Sequence, residues 1–239
     1  MKHFFFISIL CIMFYSCKKN VSQINPPNNT ASSTLNGFEI KGTLENFYPE
    51  KVYLNKIIGD SFSKIDSSKI LNNNFTFKGI VEFPERFAIT FENYSSITLF
   101  IIENTRFEIF INSETINDPV IKGSPLNSKL HKYKLDAKKI FKKIDYLFPQ
   151  FQKARLENDA DKLAEIEGKM RIIEKEFVNF SNNYILQNKE SYIAPMLLRD
   201  QLKSTTIDTL LIKNMYDILS SKIKKSPDAE IIASFLNLH

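Results

Sequence analysis

The change from strand-like to helix-like periodicity occurs within residues 107–133, FEIFINSETINDPVIKGSPLNSKLHKY. The segment 107–111 has apolar side chains at every second position, which is the period of a β-strand with one face on a core. Ser124 then provides a helix N-cap, and Pro125 suits the first turn because its missing N–H costs no hydrogen bond there. We therefore predict that a β-domain ends near residue 123 and that a helical region follows.

The segment before this change contains further short stretches that are typical of strands. Apolar side chains alternate, or run continuously, in residues 38–44, 52–55, 75–78 and 96–102. The sequence Asn72-Asn73-Asn74 predicts a turn, because asparagine tolerates left-handed backbone angles. Strands that recur about every 8–12 residues predict an antiparallel β-sandwich or an open barrel over residues 37–123.

The segment after the change contains two long apolar seams, in which the spacing alternates between three and four residues. The first consists of Leu126, Leu130, Tyr133, Ala137, Ile140, Ile144, Leu147 and Phe151, and the second of Leu163, Ile166, Met170, Ile173, Phe177, Phe180 and Tyr184. The spacing predicts an antiparallel helical hairpin, and we expect Pro149 to kink or end its first helix near Phe148. Shorter helices are expected at residues 194–202, 207–223 and 228–236. The predicted fold class is α+β, with the helical region over residues 124–239.

The N-terminus has the pattern of an export signal. A positive start precedes an apolar run of twelve residues at 4–15, which is shorter than the roughly 20 residues of a spanning helix. Ser16 before Cys17 resembles the lipoprotein cleavage site, so we expect a signal peptide over residues 1–16 and lipid, including palmitate, on Cys17. Residues 17–36 are largely polar and rich in Pro, Asn and Ser, which predicts a flexible tether.

The residue after the predicted lipid attachment site bears on localisation. It is Lys18, and no acidic cluster follows it. Lipoproteins with lysine rather than aspartate here resemble those that are sorted to the outer membrane. We therefore expect a lipid-anchored protein of the cell envelope, at the outer membrane and facing the periplasm. A permanent transmembrane anchor is the alternative.

Few residues are available for catalysis or for metal binding. The two cysteines are Cys11, inside the predicted signal, and Cys17, whose acylation would leave no free thiol. This pattern excludes a Cys-X-X-Cys redox centre, a thiolate nucleophile and a cysteine-based zinc site. His131 has no second histidine or cysteine at metal-ligand spacing, and the sequence contains neither a phosphate-binding glycine loop nor a Gly-X-Ser-X-Gly elbow. We predict no catalytic, cofactor-binding or metal-binding residue, and no enzyme activity.

Charge is mixed along most of the chain, whose formal net charge is +5. This balance does not indicate a nucleic-acid partner. Residues 129–145 contain seven lysines and two aspartates, whereas residues 157–180 contain seven acidic and four basic residues. We favour a basic helix beside an acidic one, and attraction to an anionic membrane or partner is the alternative. Acid pairs such as Glu165/Glu167 are expected on a solvated helix face, although carboxylates can also perform acid–base catalysis.

Short motifs of one known family occur in order along residues 37–200. They are Phe38-X-Ile40-X-Gly42, Lys51-Val52-Tyr53-Leu54, Ile65-Asp66-Ser67, Phe75-X-Phe77-X-Gly79, Pro84, Phe100-Ile101-Ile102-Glu103-Asn104, Ile121-Lys122-Gly123-Ser124-X-X-Asn127 and Ser191-Tyr192-Ile193-Ala194-Pro195. On these residues the chain resembles the domain of unknown function that precedes thioredoxin-like (TlpA/AhpC-TSA type) domains in bacterial envelope lipoproteins. The resemblance implies a non-catalytic β-domain with helices ahead of a disulfide oxidoreductase. Because the chain stops at His239, about where the thioredoxin-like domain would begin, no redox residue is carried over.

The expected function is that of a non-catalytic, membrane-anchored binding or interaction module. One alternative is an accessory protein to a separate thioredoxin-like thiol–disulfide oxidoreductase, and another is an enzyme with carboxylates in a sandwich cleft. Residues 192–239 are hypothesised to bind a partner protein, either a thioredoxin-like lipoprotein or a second copy of this chain. In the competing interpretation, this segment folds back onto the helical hairpin and completes its core.

Overall fold

The structure is a computed structural model that describes residues 36–59, 61–204 and 207–238. The predicted signal peptide (residues 1–16) and Cys17 lie outside the described residues, and so does the predicted tether except for Asn36. The described chain forms eight β-strands followed by five α-helices.

The elements follow the order that the sequence predicts. The strands are β1 Phe38–Glu45, β2 Lys51–Ile58, β3 Ser61–Lys69, β4 Asn74–Gly79, β5 Glu85–Phe91, β6 Tyr94–Ile102, β7 Arg106–Asn112 and β8 Val120–Lys122. The helices are α1 Pro125–Glu157, α2 Ala160–Gln187, α3 Ile193–Gln201, α4 Thr209–Asp217 and α5 Pro227–Phe235. Short 3-10 turns cover Ser113–Thr115 and Ile223–Lys225. The predicted α+β class is confirmed.

The strands form two four-stranded sheets with the orders β4-β1-β7-β8 and β3-β2-β5-β6. Inward-facing apolar side chains of both sheets pack into one core, among them Ile40 of β1, Leu54 of β2 and Phe77 of β4. In β1 and β4 these residues alternate with more exposed ones, as the period of two predicts. The sandwich is therefore confirmed, and the sheets do not close into a barrel.

The expectation of a wholly antiparallel arrangement is wrong for one pair of strands. β1 and β7 run parallel, with Ile40 opposite Phe107 and Gly42 opposite Ile109. Side-chain alternation reports which residues face the core, but parallel and antiparallel strands share that period, so it carries no information on direction. Parallel neighbours need a long crossover, and strands β2 to β6 supply it here.

Two strands of the second sheet, β3 and β5, lack the alternation that predicts β1, β2, β4 and β7. β3 lies at the edge of its sheet, and its residues are exposed except for half-buried Ser68, so it has no core-facing apolar set. In β5, Phe87, Ala88 and Ile89 are buried in succession because both faces of the strand are covered. Neither pattern has a period of two.

The predicted asparagine turn lies between β3 and β4. Asn72 and Asn73 adopt positive φ angles of 51° and 61°. Leu71 and Asn74 exchange two backbone hydrogen bonds of 3.0 Å across them. Positive φ at both central residues is the signature of a type I′ turn, so the prediction is confirmed.

The two long helices form the predicted hairpin. Asn158 adopts a left-handed conformation at the end of α1, and the carboxylate of Asp159 accepts a hydrogen bond from the N–H of Lys162 at the start of α2. This short connection turns the chain back on itself. The residues of both seams are buried or half-buried, which confirms that the two helices pack along them.

The sequence predicts that Pro149 either kinks or ends α1 near Phe148. The end is wrong, because the helix continues to Glu157, and the kink stays a prediction. Proline removes the hydrogen bond that its own N–H would donate to the carbonyl of Asp145. Both residues lie on the exposed side of the helix, where water can reach that carbonyl. Leu147 and Ala154, on either side of the proline, are buried against the partner helix.

A Phe177→Ala substitution is expected to lower the free energy of unfolding by about 2 kcal/mol, less than the 3–5 kcal/mol typical of a fully buried ring. The ring of Phe177 is only half-buried, and its nearest aromatic neighbour is Phe141, at 4.6 Å between centroids. Urea denaturation followed by circular dichroism measures the effect. Tyr146→Ala is the matched control: this side chain is 76% exposed, so a loss below about 0.5 kcal/mol is expected. Equal losses for the two variants would contradict the packing of Phe177.

Candidate functional site

The start of α1 is attached to the edge strand β6 through side chains. The N–H of Ile101 donates to Oδ1 of Asn127 (2.9 Å), and Nδ2 of Asn127 donates to the carbonyl of Ile101 (2.7 Å), so the amide takes the place of a neighbouring strand. Oε1 of Glu103 accepts hydrogen bonds from the hydroxyl of Ser124 (2.6 Å) and from the N–H of Leu126 (2.9 Å). Ser124 also caps α1, as predicted. These bonds fix the helical region against the sandwich.

An Asn127→Ala substitution is expected to cost about 2–3 kcal/mol of stability, because it leaves the buried N–H and C=O of Ile101 without partners. The chain offers a matched control in Asn104, whose amide forms the same pair of bonds with the backbone of Val81. That pair is exposed, so water replaces it, and Asn104→Ala is expected to cost less than about 1 kcal/mol. Thermal unfolding of both variants tests this difference, and a smaller effect at Asn127 would contradict it.

A cluster of charged side chains joins β5 to the helices α3 and α5. Nη1 of Arg86 donates to both carboxylate oxygens of Asp200 (2.7 and 2.9 Å), and its Nη2 donates to the carbonyl of Met196 (3.1 Å) and to Asp228 (3.3 Å). Arg199 donates to the same oxygen of Asp228 at 2.9 Å. Burial alone would lower the pKa of Arg86, but the charges of Asp200 and Asp228 outweigh it and raise that pKa. The arginine therefore stays charged and holds three elements together.

A cleft of about 370 Å³ lies beside this cluster, and we call it the junction cleft. Its apolar lining consists of Ile57, Ile58, Phe62, Leu99, Pro227 and Ile231, and its charged lining of Lys56, Glu85, Arg86, Arg199, Asp200, Lys203 and Asp228. Four large apolar side chains from four different elements, Ile58, Phe62, Leu99 and Ile231, are between 40% and 59% exposed. An apolar group that entered the cleft would remove this surface from water.

The C-terminal segment both completes the core and contributes to the junction cleft. Ile232 and Ala233 are buried, and α5 packs on α3, as the fold-back interpretation predicts. Ile231 and Phe235 remain about two-fifths exposed. The hypothesis of a partner surface within residues 192–239 therefore stays a prediction, and only part of this segment is available to a partner.

The charged residues that the sequence analysis weighed are distributed along the hairpin. Lys143 of α1 donates to both oxygens of Glu176 of α2 (2.7 and 2.6 Å), which pairs the basic helix with the acidic one. Hydrogen bonds from Lys162 and Lys169 lower the pKa of Glu165 to about 2. A carboxylate with this pKa stays ionised near neutral pH and is a poor general acid or base.

Metal binding and membrane insertion are not indicated by the described part of the chain. Among residues 36–59, 61–204 and 207–238, no group of three or more His, Cys, Asp or Glu side chains could hold a metal ion. His131 is exposed on α1. The helices within these same ranges include none that is long and apolar enough to cross a bilayer.

The sequence analysis did not find the junction cleft or the charged cluster beside it. Arg86, Asp200 and Asp228 lie far apart in the chain, and no motif spacing links them. The sequence contains one local indication of the cluster: the charged residue Arg86 directly precedes the apolar run of β5 that begins at Phe87. A charge beside a buried strand needs a partner, although the sequence does not identify it.

Comparison with known families gives a match over the β-strands. Residues 38–130 match the model of a family described as a domain of unknown function (DUF4369). The matched range covers β1 to β8 and the first residues of α1. The match concerns this domain alone and does not show an association with thioredoxin-like domains. No curated protein matches the chain.

Proposed function

We propose that this protein is a lipid-anchored module of the bacterial cell envelope that binds a partner protein at the junction cleft and catalyses no reaction. The observation that carries the proposal is the convergence of Ile58, Phe62, Leu99 and Ile231, all substantially exposed, on one cleft. Exposed apolar side chains that are grouped and rimmed by polar residues mark interaction sites in soluble domains. Single exposed apolar residues would need no such explanation.

The charges around the cleft support binding rather than proton transfer. Lys56 pairs with Glu85 at 3.0 Å, Arg86 with Asp200 and Asp228, and Arg199 with Asp228. These carboxylates are already bonded to cations of the protein itself, so they are not free to act on a substrate. We expect the cleft to recognise apolar side chains of a partner, with the paired charges as its polar rim.

The N-terminal sequence supports the anchoring part of the proposal. A short apolar run ends at Ser16-Cys17, and Lys18 follows directly. Lipid on Cys17 would hold the protein at the outer membrane, facing the periplasm. The tether of residues 17–36 would span about 5–6 Å times the square root of its residue number, enough to separate the folded part from the headgroups.

The second candidate function is that of an accessory protein. The partner that it assists would then be a separate thioredoxin-like oxidoreductase. It is favoured by the motifs that resemble the domain preceding thioredoxin-like domains, which lie largely within the matched residues 38–130. In that arrangement the helices α3 to α5 would contact the partner. A second copy of this chain is the other partner to be distinguished.

Site-specific photo-crosslinking in intact cells tests the proposal. A photo-reactive residue at Phe62 or at Ile231 is expected to capture one protein partner, which mass spectrometry then identifies as a thioredoxin-like protein, as this chain or as another protein. The control position is Tyr146 on the hairpin, which is 76% exposed but lies outside the cleft, and no capture of that partner is expected there. Leu99→Asp should abolish the crosslink from Ile231. Capture that is equal at Tyr146, or crosslinks within the chain only, would refute the junction cleft as a binding surface.

A further inference from the structure

The positive charge of α1 is only partly neutralised by α2. Among the seven lysines of residues 129–145, Lys143 alone forms an ion pair with α2, through Glu176. Lys139 pairs with Asp136 of its own helix. The other five are exposed, and they have no ion-pair partner in the part of the chain that the structure describes: Lys129, Lys132, Lys134, Lys138 and Lys142. Pairing with the acidic helix therefore leaves most of this charge available to a ligand.

One face of α1 combines exposed lysines with exposed apolar side chains. It is turned away from the seam that packs on α2, and residues three, four or seven positions apart share such a face. Its lysines are Lys134, Lys138 and Lys142, and its large apolar residues are Leu135, Tyr146 and Leu156, which are 49%, 76% and 84% exposed. The apolar residues are spaced by 11 and 10 positions, close to three helical turns, so they lie near one line. We call these six residues the outer face of α1.

The start of α1 lies at the end of the sandwich where β1 begins. The N–H of Glu39, near the start of β1, donates to the carbonyl of Thr105 at 3.1 Å. Gly123, just before the N-cap of α1, lies so close to the next residue that a Cβ on it would be 2.9 Å from the carbonyl oxygen of Arg106. The predicted tether joins the folded part at this same end. Lipid on Cys17 would therefore bring α1 within reach of the bilayer.

We propose that the outer face of α1 binds the surface of a bilayer that contains anionic phospholipid. Its lysines lie among the phosphate groups, where each strengthens binding by about fivefold. Its apolar side chains enter the boundary between headgroups and acyl chains, a depth that suits tyrosine because its ring is apolar and its hydroxyl polar.

This inference rests on the anchoring part of the proposed function. Lipid on Cys17 keeps the outer face of α1 at a high local concentration next to the bilayer, so that a weak attraction is sufficient to hold it there. None of the six residues lines the junction cleft, so a partner protein at that cleft does not compete with the bilayer for them. The bilayer contact then sets the orientation in which the cleft is presented.

Fluorescence quenching by lipid headgroups tests the contact. The mature acylated chain is reconstituted into vesicles of phosphatidylcholine, with or without about 30% phosphatidylglycerol as the anionic lipid. Acylation of Cys17 leaves no other free thiol, so a cysteine introduced at Pro149, between Tyr146 and Leu156, takes a single fluorescent label. The control position is Asn179, which is exposed on α2 away from its seam.

In the anionic vesicles, spin-labelled headgroups are expected to quench the label at position 149 at least about twofold more than the label at position 179, because only the first lies at the bilayer. The two labels should be quenched equally in phosphatidylcholine alone. Salt at about 0.5 M should remove the difference, since it screens the attraction between lysines and phosphates.

Variants assign the contact to the outer face of α1. The triple variant Lys134→Gln, Lys138→Gln and Lys142→Gln is expected to remove the difference between the two labels. The matched control changes three exposed lysines elsewhere, Lys41→Gln, Lys69→Gln and Lys189→Gln, and the difference is expected to remain. Leu156→Ser, at a mostly exposed position, should reduce the difference without affecting the fold.

The outcomes separate this inference from the anchoring on which it rests. Equal quenching at positions 149 and 179 of a chain that is acylated and bound to anionic vesicles would overturn the inference and leave the anchor intact. So would a difference that survives the first triple variant. A chain that carries no lipid and does not sediment with vesicles would refute both. In intact cells, a photo-reactive residue at position 149 is expected to crosslink to phospholipid, and a crosslink to a protein instead would assign the outer face to a protein partner and overturn the inference.

Discussion

A Cys17→Ser variant is expected to incorporate no labelled fatty acid and to accumulate as an uncleaved precursor. The sulfur of cysteine is the nucleophile to which the lipid is attached, and the hydroxyl of serine does not replace a thiol in that reaction. The loss should be complete, because the only other cysteine, Cys11, lies inside the apolar run of the predicted signal and not at its cleavage site. Metabolic labelling with a fatty acid analogue, followed by membrane fractionation, measures it.

The chain itself provides the control for this experiment. Cys11→Ser changes the other cysteine, which lies inside the apolar run of the predicted signal. That variant should be labelled and processed like the native protein. Normal labelling of Cys17→Ser, or lost labelling of Cys11→Ser, would refute Cys17 as the attachment site.

An Asp228→Asn substitution is expected to lower the free energy of unfolding by about 3 kcal/mol. Asp228 is 5% exposed and accepts hydrogen bonds from both Arg86 and Arg199. Removing its charge leaves two largely buried guanidinium groups close together with only Asp200 to compensate them. The expected value lies at the low end of the usual range for a broken buried pair, because both arginines keep some contact with water. Urea denaturation at neutral pH measures it.

The matched control for Asp228 is an exposed aspartate in a simple ion pair. Asp217 bonds Lys213 at 2.6 Å along α4, and both side chains are nearly half exposed. Pairs of this kind contribute little, so Asp217→Asn is expected to cost less than about 0.5 kcal/mol. If Asp228→Asn also costs less than 1 kcal/mol, the charged cluster does not hold the helices to the sandwich.

Much of the fold follows from local patterns in the sequence. The alternation in β1 and β7 and the seams of α1 and α2 indicate which side chains face a core. Ser124 indicates where α1 begins, because its side chain caps the helix. β3 was missed because an exposed edge strand has no buried face, and strand β5 because both of its faces are buried. Pro149 does not end α1, because its exposed position within a packed hairpin lowers the cost of the missing hydrogen bond.

The candidate sites depend on contacts that local patterns do not encode. Arg86 lies on β5, whereas Asp200 lies on α3 and Asp228 on α5. Both aspartates follow Arg86 by more than a hundred residues in the chain. The junction cleft arises only after the sheets and the C-terminal helices have packed. The prediction for Cys17 depends on a local motif, and it stays a prediction because that residue lies outside the described part of the chain.

The parallel pairing of β1 with β7 has a consequence for the kinetics of folding. β1 is the first strand of the described chain, yet it lies in the interior of its sheet, between β4 and β7, and Glu39 pairs with Arg106. The sheet cannot assemble in chain order, because one side of β1 has no neighbour until the seventh strand is available. Pairing between such distant segments slows folding, typically to milliseconds or seconds. The helical hairpin, whose contacts are more local, should form its helices sooner than the sandwich completes its first sheet.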